Sequence, residues 1–310
     1  MKKNILMSGG TGLIGTELTK HLLARGYSVT ILSRASKSPM QGVKFASWDL
    51  TKESIDADAI QNADYIIHLA GAGVADKRWT SARKKEIADS RTKSSALLVK
   101  AINEYPNHIS AVISASAIGW YGSDQKGSKL AFTETDPPAN DFLGTTCKAW
   151  EEHIKPVKDA GKRLVILRTG IVLSNKGGAL QEFNKPLKAG IASVLGSGKQ
   201  MVSWIHIDDL CRLYIKAIED VEMKGAYNAV APKPVSNHQL VIALAGKMKG
   251  KFYITFHVPA PILKLALGEM STEVLKSATV SSRKIQSVGF QFQFPSIEAA
   301  ISHLVKNPQK

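Results

Sequence analysis

The sequence predicts an α/β fold: a doubly wound parallel sheet with a second, smaller α+β domain that carries the substrate side. Three observations predict it. Short apolar runs at 4–8, 28–33, 43–48, 64–69, 109–115 and 163–168 alternate with helical patterns at 13–25, 80–104 and 146–160. A glycine-rich turn, Gly9-Gly10-Thr11-Gly12-Leu13-Ile14-Gly15, follows the first run directly. After Arg168 the alternation stops and glycine-containing loops begin.

The first run, Asn4-Ile5-Leu6-Met7-Ser8, reads as a strand. In the stretch after the turn, Leu13, Ile14, Leu18, Leu22 and Leu23 form an apolar stripe at helical spacing, and Gly26 can end that helix. Strand, glycine turn and helix in this order suit a pyrophosphate. The glycines let the backbone approach it closely, and the helix offers unpaired N–H groups and its positive end. Gly9, Thr11, Gly12, Leu13, Ile14 and Gly15 are therefore the expected phosphate-binding residues.

The second strand, 28–33, ends in Ser33-Arg34, with Ser36 and Lys37 close behind. A chain that binds NAD usually has an acid here for the ribose 2′-hydroxyl, which would repel a 2′-phosphate. An arginine pairs with that phosphate, so Ser33 and Arg34 predict NADP(H). One charge-assisted hydrogen bond is worth roughly 1.5–3 kcal/mol, a preference on the order of ten- to a hundredfold.

Beyond the sheet, residues 171–202 hold Gly177-Gly178 and Gly196-Ser197-Gly198, consistent with loops over a cleft. Residues 204–219 resume with Trp204-Ile205-His206-Ile207 and a helix from Asp209, with Asp208 or Asp209 as its expected N-cap. The expected division is a dinucleotide-binding domain of 1–170 and 203–230, and a substrate-side domain of 171–202 and 231–310.

The chain has 310 residues and 44% hydrophobic content, enough for a large core. Two cysteines, Cys147 and Cys211, make neither a disulfide framework nor a metal site, and no metal is expected. No stretch of 18 apolar residues exists, and the first strand begins where a signal peptide would stand, so the expected compartment is the cytoplasm, with no membrane partner. The formal charge of +15 is spread along the chain. Its densest group, from Lys77 to Lys93, carries no interleaved aromatic series, so no nucleic acid is expected. A monomer or a homodimer is expected.

These motifs together resemble the extended short-chain dehydrogenase/reductases, and more closely an atypical subgroup described as epimerase family proteins, known as NADP(H) binders. The resemblance covers the whole chain. It is carried by Gly9-x-x-Gly12-x-x-Gly15, Asp49-Leu50, Asp64-x-x-x-His68-Leu69-Ala70-Gly71, Ser114-Ala115-Ser116, Leu167-Arg168-Thr169-Gly170 and His206-x-Asp208-Asp209. Lys77-Arg78-Trp79-Thr80, Ser116–Gly122, Leu267-Gly268-Glu269-Met270 and the tail Gly289–Ala300 resemble the subgroup, which ends in a small domain of unknown function. The resemblance implies a Rossmann sheet and adenine contacts at Asp49 and Leu50. It implies cofactor contacts at Ala70, Gly71, Ala72, Ser114 and Arg168 as well. Arg78, Trp79 and Arg91 are the expected grip on a small, anionic substrate.

The resemblance also implies a catalytic Ser and a Tyr-x-x-x-Lys pair, in which tyrosine moves the proton and lysine lowers its pKa and holds the nicotinamide ribose. Here Lys148 takes the lysine position, for the ribose, but Gly144 stands where the tyrosine would be. Three readings remain open: Tyr121 is the proton donor, Ser116 with a water is a weaker one, or the chain binds cofactor without turnover, as a sensor or scaffold. The leading expectation is an NADP(H)-dependent oxidoreductase or epimerase-like enzyme, with hydride passing to or from a carbonyl or alcohol carbon. His68, within an apolar strand, is expected to be buried and neutral, and Cys147 inert.

Overall fold

A computed structural model describes residues 2–34, 41–125 and 130–306. Ser36 and Lys37 lie outside the described residues. Along the chain the strands are β1 Asn4–Ser8, β2 Ser28–Ser33, β3 Val43–Asp49, β4 Ser54–Ile55, β5 Tyr65–His68, β6 Ala111–Ala117, β7 Arg163–Thr169, β8 Ile171–Leu173, β9 Ile191–Leu195, β10 Met201–Val202, β11 Trp204–His206, β12 Gly225–Ala229, β13 Val235–Ser236 and β14 Ile254–Val258. The helices are α1 Leu13–Ala24, α2 Ala57–Gln61, α3 Ser81–Glu104, α4 Phe142–Ile154, α5 Ala179–Lys188, α6 Ile207–Glu219, α7 Asn237–Lys249, α8 Ala260–Leu267, α9 Ser271–Leu275, α10 Arg283–Ser287 and α11 Ile297–Lys306.

Eight strands form the main sheet in the order β12-β7-β6-β5-β1-β2-β3-β4. All neighbours are parallel except β3 and β4. This is the doubly wound α/β fold. The chain leaves β1 toward β2 and β3, then returns to β5 on the other side of β1. The order thus reverses beside β1, and the glycine turn follows β1 at the crevice this reversal opens. The Val- and Ile-rich strands are buried on both faces, as a sheet covered by helices on both sides requires.

Helix boundaries follow local chemistry. Thr80 caps α3 by accepting the Arg83 N–H, and Asp141 caps α4 by accepting the Gly144 N–H at 2.8 Å. α4 therefore starts four residues before the expected 146, and it ends at Ile154, before Pro156. α6 begins at Ile207, not at Asp209, and its N-cap is His206. The imidazole Nδ1 accepts the Asp208 N–H at 3.0 Å, which leaves Asp209 free to turn inward.

One core cluster packs α1 and α6 on one face of the sheet, with Leu18 and Leu22 fully buried. A second packs α3 against the other face. A third lies outside the sheet and draws on residues 173–204, 231–245 and 297–304. Asp209 ties this tail to the sheet: its carboxylate accepts the N–H groups of Gln293 and Phe294, both at 2.9 Å, and a donor of Arg212 at 2.8 Å. Among the described residues, no helix is long and apolar enough to cross a membrane.

Candidate functional site

The glycine turn closes against the loop that follows β5. Gly9 has φ +71°, and a Cβ there would lie 2.8 Å from the carbonyl carbon of Leu69. A Cβ on Gly15 would lie 2.4 Å from the Gly9 carbonyl oxygen, so α1 rests directly on the turn. Backbone already fills both spaces, so a side chain at either position would clash. α1 has Gly12 at its N-cap, with no side-chain cap and no acid in its first turn. Its N-terminal N–H groups and positive dipole end therefore suit an anion. Thr11 and Gly12 are exposed at the tip, and Leu13 and Ile14 are half-buried.

Ser8 of β1 pairs with His68 of β5 on one side and Leu32 of β2 on the other. Half-buried Ser33 and exposed Arg34 thus end the strand next to the turn. Asp49 ends β3, one strand further out. Its Oδ1 accepts the N–H groups of Thr51 at 2.8 Å and Lys52 at 3.2 Å, and these bonds hold its carboxyl below the usual range. Leu50 packs partly on the second core cluster.

The opposite wall is Ala70-Gly71-Ala72, pinned to α3. The Ala72 N–H donates to Ser90 Oγ at 2.9 Å, and the Ala72 carbonyl accepts Arg91 Nη1 at 3.0 Å. Arg91 also donates to the Ile87 carbonyl and lies 4.9 Å from the centre of the Trp150 ring. Trp79 donates to the Val74 carbonyl and meets Phe142 edge-on. Both side chains build the wall instead of reaching from it as the expected substrate grip. Arg78 is exposed and packs against Gly268. His68 is fully buried between Ser8 Oγ at 2.6 Å and Ser95 Oγ at 3.1 Å. Burial, with Arg91 nearby, lowers its pKa to about 3 and keeps it neutral.

Below the end of β6 lies a buried polar network. Ser114 donates to the Ala115 carbonyl, whereas Ser116 donates to Glu151 Oε1 at 2.8 Å. Glu151 also accepts Arg168 Nε at 2.8 Å and Nη2 at 3.0 Å. Arg168 Nη1 donates to Tyr121 Oη at 3.1 Å, and its guanidinium lies 3.7 Å from the centre of the Trp120 ring. Tyr121 in turn donates to Asn228 Oδ1 at 2.7 Å. Two expectations change here. Arg168 has its donors committed inside the protein and does not reach a cofactor. Tyr121 is fully buried with its proton on Asn228, and burial raises its pKa to about 12, so it is poorly suited as the proton donor.

Gly144 is buried, and a Cβ there would lie 2.2 Å from the carbonyl oxygen of Ala139. That segment is fixed from behind, because the Ala139 N–H donates to the Trp120 carbonyl at 2.7 Å. The backbone occupies the space in which a tyrosine would begin. Lys148, one turn on, is exposed and lies 3.9 Å from Glu152. Burial raises the Cys147 thiol to about 12, which makes it a poor nucleophile.

His206, Asp208 and His303 lie close enough to suggest a metal. The lone pair on His206 Nδ1 already accepts the Asp208 N–H. Nε2 then carries the ring proton and faces His303 Nδ1 at 3.1 Å. In this tautomer His206 has no free lone pair for an ion.

Glu151 and Asn228 escaped the sequence reading, and Asp209, expected as an N-cap, instead holds the tail. Glu151 had a signal: Gly144, Cys147, Glu151 and Ile154 share the buried face of α4, and a carboxylate on such a face needs a buried partner.

The model of the NAD dependent epimerase/dehydratase family matches residues 5–230, and a model for a domain of unknown function matches residues 258–304. A Staphylococcus aureus epimerase family protein is 35% identical over 305 residues, covering 98% of this chain and 99% of that protein. The crystal structure of the human epimerase family protein SDR39U1 with NADPH has a TM-score of 0.86 at 28% identity, covering 98% of this chain and 99% of that one. A nucleoside-diphosphate sugar epimerase from Corynebacterium glutamicum has a TM-score of 0.77 at 31% identity, over 98% of this chain and 58% of its own.

Proposed function

The chain belongs to the NAD-dependent epimerase/dehydratase family, and from that premise we propose an NADP(H)-dependent oxidoreductase acting on a small, anionic carbonyl or alcohol substrate. The observation that carries the reading is the tight turn at Gly9 and Gly15, where backbone packs directly on backbone and so sets the uncapped start of α1 at the end of β1. In this reading Gly9 and Thr11–Gly15 hold the pyrophosphate, and Arg34 with Ser33 holds a 2′-phosphate. Asp49 and Leu50 border the adenine. Ala70, Gly71, Ala72 and Ser114 border the ribose, and Lys148 swings to the nicotinamide ribose. Exposed Arg78 meets the substrate anion.

When bound, the nicotinamide supplies the hydride chemistry. This chain's own residues handle the proton. Ser116 is buried and donates to Glu151, so in this reading its oxygen accepts from the substrate hydroxyl through an intervening water. As a substrate alcohol is oxidised, its proton passes to that water, a water proton passes to Ser116 Oγ, and the serine proton passes to Glu151 Oε1. Reduction runs the same path backward. Arg168 orients the carboxylate through two hydrogen bonds.

A second reading, an NADPH-binding sensor without turnover, is favoured by the backbone that fills the tyrosine position at Gly144. One experiment separates them. Fluorescence titration with NADPH and NADH on the parent and on Arg34→Ala measures the cofactor preference, expected to fall ten- to a hundredfold in the variant, roughly one charge-assisted bond. A panel of anionic carbonyls is then tested for NADPH oxidation. Turnover lost in both Ser116→Ala and Glu151→Gln supports the enzyme. Tight NADPH binding with no oxidation by any carbonyl supports the sensor.

A further inference from the structure

Between Asn237 and Gly268 the chain holds four lysines, Lys247, Lys249, Lys251 and Lys264, and no Asp or Glu. The same stretch carries most of the exposed large apolar side chains. Phe252 is 87% exposed, Ile254 75%, Phe256 53%, Ile262 53% and Leu265 79%. They are ordered by the fold. Ile254 and Phe256 alternate along β14, and Ile254 pairs with exposed Ile191 of β9, so these three share one face of a two-stranded sheet. Ile262 and Leu265 stand three apart on α8 and share its outer side. Among the described residues β14 pairs with β9 alone, which leaves its outer edge open.

An open apolar edge invites a partner. Self-association through this stretch would bring two lysine-bearing, acid-free segments together, and like charges oppose that. The lysines instead suit an anionic partner. They are all lysine and not arginine: point charges on flexible stems, without the planar fork that fixes one geometry. The aromatic and aliphatic side chains stand out from the surface instead of lining a groove, which suits an interface that yields to them. We propose that β14 and α8 form a peripheral docking surface for an anionic lipid bilayer, with Phe252, Ile254, Phe256, Ile262 and Leu265 entering the headgroup boundary and the lysines pairing with lipid phosphates. The expectation of no membrane partner rested on the lack of a spanning stretch, which surface attachment does not need.

The test is co-sedimentation of the full chain with vesicles of phosphatidylcholine alone, or with about one third phosphatidylglycerol. The expected result is binding to the anionic vesicles, weakened by salt. Phe252→Ser with Phe256→Ser is expected to lower it roughly tenfold or more, from lost apolar burial. Lys251→Glu with Lys264→Glu lowers it on the order of tenfold or more. Lys44→Glu with Lys158→Glu, an equal change of charge at exposed sites elsewhere, lowers it much less. Circular dichroism and thermal melting verify that each variant folds. Equal loss in both charge variants, or no loss with the phenylalanine pair, would mean attraction by net charge alone and overturn the proposal. So would absence of binding to anionic vesicles. A concentration-dependent dimer abolished by the phenylalanine pair would overturn it in favour of self-association. An acidic protein that displaces the vesicles, with no need for Phe252 and Phe256, would overturn it in favour of a protein partner.

Discussion

Arg168 and Glu151 form a two-point ion pair beneath the end of β6, with side chains only 4% and 3% exposed. Removing one partner strands the other charge in the interior. Glu151→Ala is expected to cost about 3–5 kcal/mol, whereas Ser116→Ala, which removes one neutral donor, costs about 1 kcal/mol. Urea unfolding of the two variants measures the difference. Equal losses would mean that Arg168 finds a replacement partner.

Gly144 is held in place by the backbone of its neighbour Ala139. An added Cβ must push the Ala139 backbone, because 2.2 Å is far inside contact distance. Gly144→Ala is expected to destabilise by about 1–2 kcal/mol, overpacking set against better helix propensity. Gly144→Tyr is expected to give no gain in NADPH oxidation. A stable, faster Gly144→Tyr enzyme would show that the 137–141 segment yields freely.

Asp209 is fully buried and accepts three hydrogen bonds, two of which join α6 to the C-terminal tail while the third comes from Arg212 of α6 itself. Asp209→Asn turns one acceptor into a donor facing another donor. The expected cost is about 3 kcal/mol, with faster amide exchange at Gln293 and Phe294. Unchanged exchange at those two amides would count against the clamp.

Acid sensitivity follows from two histidines. Burial lowers His206 to about 4 and His68 to about 3, below the 6.5 of an unfolded histidine. Each favours folding while it is neutral. Their contribution is complete above pH 6.5 and is lost as pH falls toward 4 for His206 and toward 3 for His68. The loss is about 3 kcal/mol for His206. His206→Asn keeps a capping acceptor and removes the titrating ring, so its stability should fall less steeply between pH 6.5 and 4. An unchanged slope in a denaturant series would assign the acid sensitivity to other groups.

Much of the fold was legible because the pattern is local. Strands at Asn4–Ser8 and Ser28–Ser33 and the helix Leu13–Ala24 stand within a residue of their expected bounds. β12 was not legible, since Gly225–Ala229 joins the far edge only by pairing with β7. In the site, the glycine turn and neutral His68 were readable from immediate neighbours. Arg168 and Tyr121 were misread because their partners, Glu151 and Asn228, lie 17 and 107 residues away. A side chain's type announces what it can bind, but only the packed interior decides what it meets first. Likewise Arg91 reads as a free cation until Ala72 and Trp150 are seen to hold it.

The Asp209 clamp also has a history in time. Its acceptor is synthesised 84 residues before the first of its tail donors. At ribosomal speeds of about 5–20 residues per second, that is a wait of roughly 4–17 s. Through that interval the nascent chain holds a carboxylate destined for the interior with nothing from the tail to receive it, so the start of α6 stays hydrated. The segment at Gln293 and Phe294, made later, then works as a closing stitch, and a message truncated before Gln293 would lack both tail donors to Asp209.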